Sequence, residues 1–185
     1  MMDRRSALKN MTILAGGIFL FPSCLKQEDG KVSIKLHQMK INAAQEKLVA
    51  EVVETIIPQT ATPGAKALNV HLFVLKMMDD CYSKKDQENF LFGLEKLEEI
   101  AQKQYKRSFS ECEPKQREAV LMAIEENPKI QPQLAVFYQM TKELTVKGYS
   151  ISKYVMTTKL PYELIPSRYN GYFPVKNLKT AVKNG

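Results

Sequence analysis

The chain has 185 residues, of which 44% are hydrophobic and 25% are charged, with 8 glycines and no tryptophan. This length and composition are ordinary for one globular domain with a hydrophobic core, and they exclude a disordered or fibrous chain. The formal net charge is +7, but lysines and arginines are interleaved with acidic residues and form no dense run. We therefore interpret the charge as a solvated basic surface and predict no nucleic-acid partner.

Residues 1–23 are predicted to be an export signal. Charged residues precede an apolar run over residues 11–21. That run is too short to cross a bilayer of about 30 Å as a helix, but it suits the apolar part of a signal peptide. Arg4, Arg5, Leu8 and Lys9 match the twin-arginine signal, although two other positions of that motif differ. We therefore expect the twin-arginine translocase as a partner and a periplasmic location.

Cys24 lies where a cleaved lipoprotein would begin. Ser23 before it fits a lipoprotein box, whereas Phe21 and Pro22 fit poorly. A lipid on Cys24 would anchor the protein to the membrane; the alternatives are an ordinary cysteine near a cleavage site and an uncleaved membrane tether. Residues 24–40 have no clean period, and we predict that they form a linker that holds the domain away from the membrane.

Residues 41–185 are predicted to form an all-α domain, a compact bundle of about five helices. Apolar residues recur at spacings of three and four, which is typical of amphipathic helices. Caps, prolines and glycines give the ends. The predicted helices run from a cap at Asn42 to Pro58, over residues 65–82 and 85–105, from Pro114 to residue 127, and from Pro132 to a C-cap at Gly148. From about residue 149 the pattern changes to an irregular aromatic tail.

The sequence carries no recognisable catalytic or cofactor-binding motif. His37 and His71 have no histidine or cysteine at ligand spacing, so no metal site is predicted. There is no glycine-rich phosphate loop, nucleophile elbow or haem-attachment motif. The carboxylates recur at the spacing of solvated helix faces. We therefore predict a binding or assembly role, with no catalytic residue and no cofactor in this chain.

Cys81 and Cys112 have two interpretations. If Cys24 carries a lipid, they are an even pair in an oxidising compartment, where a disulfide would persist. However, Cys81 lies on an apolar helix strip, and Cys112 lies just before the cap of the fourth helix. We favour two buried free thiols, because unpaired cysteine is among the most buried residue types.

Several motifs resemble the gluconate 2-dehydrogenase subunit 3 family. Two blocks are specific in combination: residues 54–67, which contain ETIIP and TATPGAKA, and residues 143–149, ELTVKGY. Further matches are Phe90-x-x-Gly93-Leu94, Phe109, and the stretch PSRYNGY at residues 166–172. The resemblance covers about residues 45–175.

The resemblance implies an accessory function. Members of this family accompany a large flavin-containing subunit of the glucose–methanol–choline oxidoreductase type, and a multihaem cytochrome c often completes the complex. FAD is therefore expected in the large subunit and haem c in a third subunit. The small subunit carries the twin-arginine signal and has no catalytic residues, and the large subunit is exported with it.

Five residues are candidate contacts to the large subunit: Gly148, Tyr149, Arg168, Tyr169 and Gly171. Tyrosine suits interfaces because it buries a large area and keeps a polar end. The alternative is that these residues pack the tail onto this protein's own helices. For the whole chain, the alternatives are a periplasmic lipoprotein that binds a small ligand in a helical pocket, and a free-standing enzyme that uses carboxylates.

Overall fold

The computed structural model describes residues 32–129, 131–160 and 172. The chain divides into two units, Met1–Lys31 and Val32–Gly185, and all described residues belong to the second. Its helices are α1 (Ala43–Ile56), α2 (Val70–Cys81), α3 (Lys84–Tyr105), α4 (Pro114–Glu126), α5 (Pro132–Ser150) and α6 (Lys153–Thr158), with a short 3-10 helix, Phe109–Glu111, before α4. The described residues contain no β-strand. The predicted all-α bundle of five longer helices is confirmed.

The helix ends follow local sequence signals in most places. At the start of α1, the Asn42 side chain accepts from the Gln45 backbone N–H at 2.8 Å, and the Gln45 side chain accepts from the Asn42 N–H at 3.0 Å. This is the predicted capping box. Pro114 occupies the first turn of α4, where its missing N–H costs no hydrogen bond. Lys106 closes α3 in the left-handed conformation, with φ of 57°.

Two predicted helix ends were wrong. α2 begins at Val70 rather than at residue 65, because Asn69 adopts the left-handed conformation with φ of 55° and interrupts the turn that precedes it. Asparagine tolerates this region better than most residues. Gly148 does not cap α5, since the helix continues to Ser150 and no described glycine has a positive φ.

The beginning of the predicted tail contains more helix than the sequence indicated. Residues 149–160 include the last two residues of α5 and the whole of α6. Ser152 caps α6, because its side chain accepts from the Val155 backbone N–H at 3.3 Å. The rest of the predicted tail, apart from Tyr172, lies outside the described residues.

α5 is the central helix of the bundle and contacts α1, α2, α3 and α4. Its Phe137 is fully buried against Phe90 of α3, with 5.3 Å between the ring centres. Gly93 of α3 permits this approach, because an added Cβ would overlap the Phe137 ring. Glycine inside a helix costs about 1 kcal/mol relative to alanine, so close packing outweighs helix propensity here. The motif Phe90-x-x-Gly93 is therefore a packing motif.

Residues 32–40, at the end of the predicted linker, belong to the folded bundle. The carboxylate of Asp79, which is fully buried, accepts the backbone N–H groups of His37 at 2.6 Å, Gln38 at 2.8 Å and Met39 at 2.7 Å. Met39 enters the core with 5% exposure. Burial alone raises the pKa of Asp79, but the three N–H bonds outweigh it and hold the pKa below its ordinary value.

The last turn of α2, which carries Asp79, is closed by the side chain of Gln87 from α3. The side-chain amide of Gln87 donates to the carbonyl oxygens of Met78 at 3.1 Å, Asp79 at 3.0 Å and Tyr82 at 3.2 Å. Met78 and Asp79 are among the last four residues of α2, whose carbonyls have no partner within the helix, and Tyr82 is its C-cap. One buried side chain from α3 thus closes the helix that carries the carboxylate.

The two described cysteines are both free thiols, as predicted, but only Cys112 is buried. Burial raises the pKa of the Cys112 thiol. Cys81 is the last residue of α2 and is exposed, so its predicted burial was wrong.

None of the described helices is long and apolar enough to cross a membrane.

We predict that Asp79→Asn loosens residues 32–40 from the bundle. Asparagine carries no charge and replaces one acceptor oxygen with a donor that faces backbone N–H groups. Hydrogen bonds to a charged group contribute about 1.5–3 kcal/mol each, so urea denaturation should show a loss of about 2 kcal/mol or more. Trypsin should also cleave faster at Lys35 and Lys40.

The matched control is Asp80→Asn, an exposed neighbour that pairs with Lys76 at 2.9 Å; it should change little. Because the folded pKa of Asp79 lies below the ordinary 3.8, its contribution is complete above that pH. It is lost as the pH falls through the lowered value, and Asp79→Asn should remove that acid-side loss. Equal effects of the two variants would contradict the role of Asp79.

Candidate functional site

The carboxylate of Glu54 holds the turn between α1 and α2. Its Oε1 accepts the backbone N–H of Gln59 at 3.0 Å, and its Oε2 accepts the N–H of Lys66 at 2.8 Å. Gly64 fits beside this carboxylate, because an added Cβ would overlap it and stand 2.7 Å from the Gln59 nitrogen. Ala65, the next residue, is fully buried. The block ETIIP…TPGA therefore forms one turn in which glutamate and glycine fit each other.

Glu51, one turn earlier in α1, binds two cations from different parts of the chain. Its carboxylate contacts Lys66 of the same turn and Arg117 of α4. The side chains of Glu51 and Arg117 are 9% and 11% exposed. Burial raises the pKa of Glu51, but Lys66 and Arg117 outweigh it and hold the pKa below its ordinary value. The ionised carboxylate thus ties α1, the turn and α4 together.

His71 lies beside this cluster as a buried, neutral side chain. Its Nδ1 has no hydrogen-bond partner among the described residues. Burial lowers the pKa of His71 more than the charge of Glu46 raises it, so the imidazole is uncharged at neutral pH. Within the described ranges, no three histidine, cysteine, aspartate or glutamate residues are grouped so that they could hold a metal ion.

The second family-like block packs directly onto the first. The Tyr149 hydroxyl donates to the Pro63 carbonyl oxygen at 3.0 Å and lies 3.5 Å from the Thr62 hydroxyl. Gly148 is buried, and an added Cβ would stand 2.6 Å from Cδ1 of Phe73. Two motifs that are far apart in the sequence therefore meet in one joint, which fastens α5 to α2 and to the turn after α1.

This joint accounts for two of the five candidate partner contacts. Gly148 and Tyr149 contact their own chain, which supports internal packing for these two residues. The other three, Arg168, Tyr169 and Gly171, lie outside the described residues. The same is true of the predicted export and anchoring residues, Arg4, Arg5, Leu8, Lys9 and Cys24.

An open groove of about 710 Å³ lies between α4 and α5. Its apolar lining residues are Ile124, Pro128, Ala135, Tyr138 and Val146. Val146 is 49% exposed; a single exposed valine is common on protein surfaces, but several apolar side chains that line one groove are typical of a binding surface. The groove therefore presents an apolar surface that its own chain leaves accessible.

Most polar groups around the groove are already paired with one another. Glu125 accepts from Lys142 at 2.5 Å and from the Tyr138 hydroxyl at 3.2 Å, and Gln139 donates to Glu143 at 3.1 Å. Burial and the Glu125 carboxylate raise the pKa of Tyr138 to about 12, so it remains a neutral phenol. An apolar floor inside a polar rim is the anatomy of a protein–protein interface.

Glu51, Glu54 and Asp79 were not predicted to bind other groups, because the spacing of the carboxylates indicated solvated helix faces. The apolar pattern of the sequence did contain a signal for Glu51 and Asp79. Glu51 directly precedes Val52 and Val53 in the apolar pattern of α1, and Asp79 follows Met78. A carboxylate on the apolar side of a helix needs a buried partner. The identity of that partner could not be predicted from the pattern.

We predict that Glu51→Gln lowers the free energy of unfolding by about 3 kcal/mol, because removing one partner of a buried pair leaves Arg117 without its anion. Urea denaturation measures this change. Since the pKa of Glu51 is lowered in the fold, its ion pairs stabilise above the ordinary carboxyl pKa. They are lost as the pH falls through the lowered value, and Glu51→Gln should remove that dependence.

The control is Glu99→Gln, which breaks an exposed pair with Lys96 at 2.8 Å. Exposed pairs contribute little because water screens them, so this variant should be close to the parent. A Glu51→Gln protein as stable as Glu99→Gln would show that the Glu51 cluster does not hold the fold together.

The family model for gluconate 2-dehydrogenase subunit 3 matches residues 43–166. This match begins at the first residue of α1, runs through α6, and covers more than half of the chain. No protein with a curated description and no solved structure matches the chain significantly. The chain belongs to the gluconate 2-dehydrogenase subunit 3 family, as its motifs predicted.

Proposed function

We propose that this chain is the non-catalytic small subunit of a periplasmic, flavin-dependent sugar or sugar-acid dehydrogenase complex. The family match over residues 43–166 carries the proposal, because the family is named as a dehydrogenase subunit. The described residues contain no glycine-rich turn that could cradle a dinucleotide. As the resemblance implies, we assign FAD to a large subunit of the glucose–methanol–choline type and haem c to a third, cytochrome subunit.

In this proposal the large subunit binds over the groove between α4 and α5. The groove offers apolar residues such as Ala135 and Val146 to a partner. Its rim pairs Glu125 with Lys142, so docking would not leave these charges unpaired. Burying a paired rim is less costly than burying isolated charges.

Export and membrane attachment complete the proposal. Arg4, Arg5, Leu8 and Lys9 would direct the assembled complex to the twin-arginine translocase, and a lipid on Cys24 would hold it at the membrane. The route carries folded proteins, which suits a subunit that must bring a flavin-loaded partner across. The small subunit would thereby act as an export chaperone for the large one.

A second candidate is a periplasmic lipoprotein that binds a small ligand in the groove. The volume of about 710 Å³ falls within the range of about 300–1,000 Å³ that ligand pockets occupy. However, small-ligand sites use a few converging polar groups for orientation. Here Glu125, Tyr138, Lys142, Gln139 and Glu143 already bond to one another, which favours the large partner.

We predict that the tagged chain, purified from its native cell envelope, brings a larger protein with flavin absorbance at about 450 nm. Replacing both Arg4 and Arg5 with Lys should remove the chain and the flavin together from the envelope. The matched control, Cys24→Ser, should keep export and flavin but lose the lipid, so that salt releases the complex from the membrane where the parent needs detergent. A colourless, stable monomer would contradict the proposal and favour the ligand-binding lipoprotein.

A further inference from the structure

The end of α5 and the whole of α6 form a corner of unusual charge. Residues 144–160 contain no aspartate or glutamate, but they contain Lys147, Lys153 and Lys159. The ion pairs found among the described residues involve none of these three lysines. Each helix from α1 to α5 carries acidic residues beside its lysines. We call residues 147–160 the lysine corner; its first residue, Lys147, also borders the groove between α4 and α5.

The lysine corner also exposes apolar side chains. Of the six large hydrophobic residues that are strongly exposed in the described part of the chain, two lie here and outside the groove, Ile151 at 54% and Leu160 at 44%. α6 contains no buried residue. Tyr154 is half-buried beside them, and tyrosine is enriched at membrane–water interfaces.

Among the described residues, a stretch with lysines and no acidic residue also has strongly exposed apolar side chains only in the lysine corner. The stretch over residues 100–110 is also free of acidic residues and contains Lys103, Lys106 and Arg107. None of its large apolar side chains is strongly exposed. In the lysine corner the Ile151 backbone N–H donates to the Lys147 carbonyl at 3.1 Å, so an exposed isoleucine lies one turn from an unpaired lysine.

We infer that the lysine corner binds the surface of an anionic lipid bilayer. Lysines without counter-charges are attracted to anionic headgroups, and neighbouring apolar side chains enter the headgroup–acyl boundary. A protein partner would have to supply acidic groups for the lysines and an apolar surface at once. The bilayer surface offers both without specific geometry. This contact needs neither the flavoprotein nor a lipid on Cys24, so it goes beyond the proposed function.

The absence of tryptophan from the chain gives a direct test. Ile151→Trp places a single indole in the lysine corner of the full-length protein. Met122→Trp, at a residue of α4 that is 52% exposed, is the matched control. With phosphatidylglycerol vesicles, Trp fluorescence in Ile151→Trp should shift to the blue and be quenched by brominated lipid. Met122→Trp should change much less, and phosphatidylcholine vesicles should have little effect on either.

The charge requirement is tested in the Ile151→Trp protein by changing Lys147, Lys153 and Lys159 to Glu, which should abolish the shift. The same reversal at Lys103, Lys106 and Arg107 should retain it. Added salt should weaken the shift, because it screens exposed charges. These comparisons keep the N-terminal segment constant, so its own membrane attachment cannot produce the difference.

An unchanged Ile151→Trp spectrum with anionic vesicles, or an equal shift in Met122→Trp, would overturn the inference. A shift that occurs only when a flavin-containing partner is added would also overturn it, because the lysine corner would then be a protein interface. That result would leave the proposed function intact. Conversely, a vesicle-induced shift in a chain that binds no flavoprotein would support the lipid contact and reject the partner.

Discussion

Two carboxylates at the end of α1 determine how the rest of the molecule is assembled. Glu54 fixes the backbone of the following turn, and Glu51 joins that turn to α4 through Lys66 and Arg117. The same turn accepts a hydrogen bond from the Tyr149 hydroxyl of α5. Since buried charges are stable only when they are paired, these contacts hold α1, α4 and α5 in one arrangement. The described parts of the motifs that identify the family therefore stabilise the packing of these helices.

This arrangement separates structure from binding. The motif residues Gly93, Gly148 and Tyr149 face inward, which leaves recognition to surfaces with other residues. In our proposal the groove between α4 and α5, with an apolar floor and a paired rim, suits a protein. The lysine corner, with unpaired lysines and exposed apolar side chains, suits a lipid surface. A subunit that links an enzyme to a membrane would need both kinds of surface.

Local signals predicted local structure well. Periodicity gave five helices, and Asn42 and Pro114 marked their starts. The predictions that were wrong concern contacts between residues that are distant in the chain. Gly148 resembled a helix cap because glycine is common there, whereas its actual constraint is Phe73 on another helix. Residues 32–40 resembled a linker because their backbone partner, the Asp79 carboxylate, is about forty residues away. The lysine content of this segment can be read from the sequence, but the exposure of its apolar side chains is known only from the packed structure.

The most direct test compares a groove variant with a joint variant for retention of the flavoprotein per mole of purified chain. Ala135→Glu places a charge on the groove floor, Ala119→Glu adds the same charge at an exposed site on α4 outside the groove, and Tyr149→Phe removes the hydroxyl from the joint. We expect that only Ala135→Glu loses the flavoprotein, while Tyr149→Phe lowers the free energy of unfolding by about 1 kcal/mol and keeps its partner. Loss of the flavoprotein in Tyr149→Phe, with retention in Ala135→Glu, would contradict this expectation.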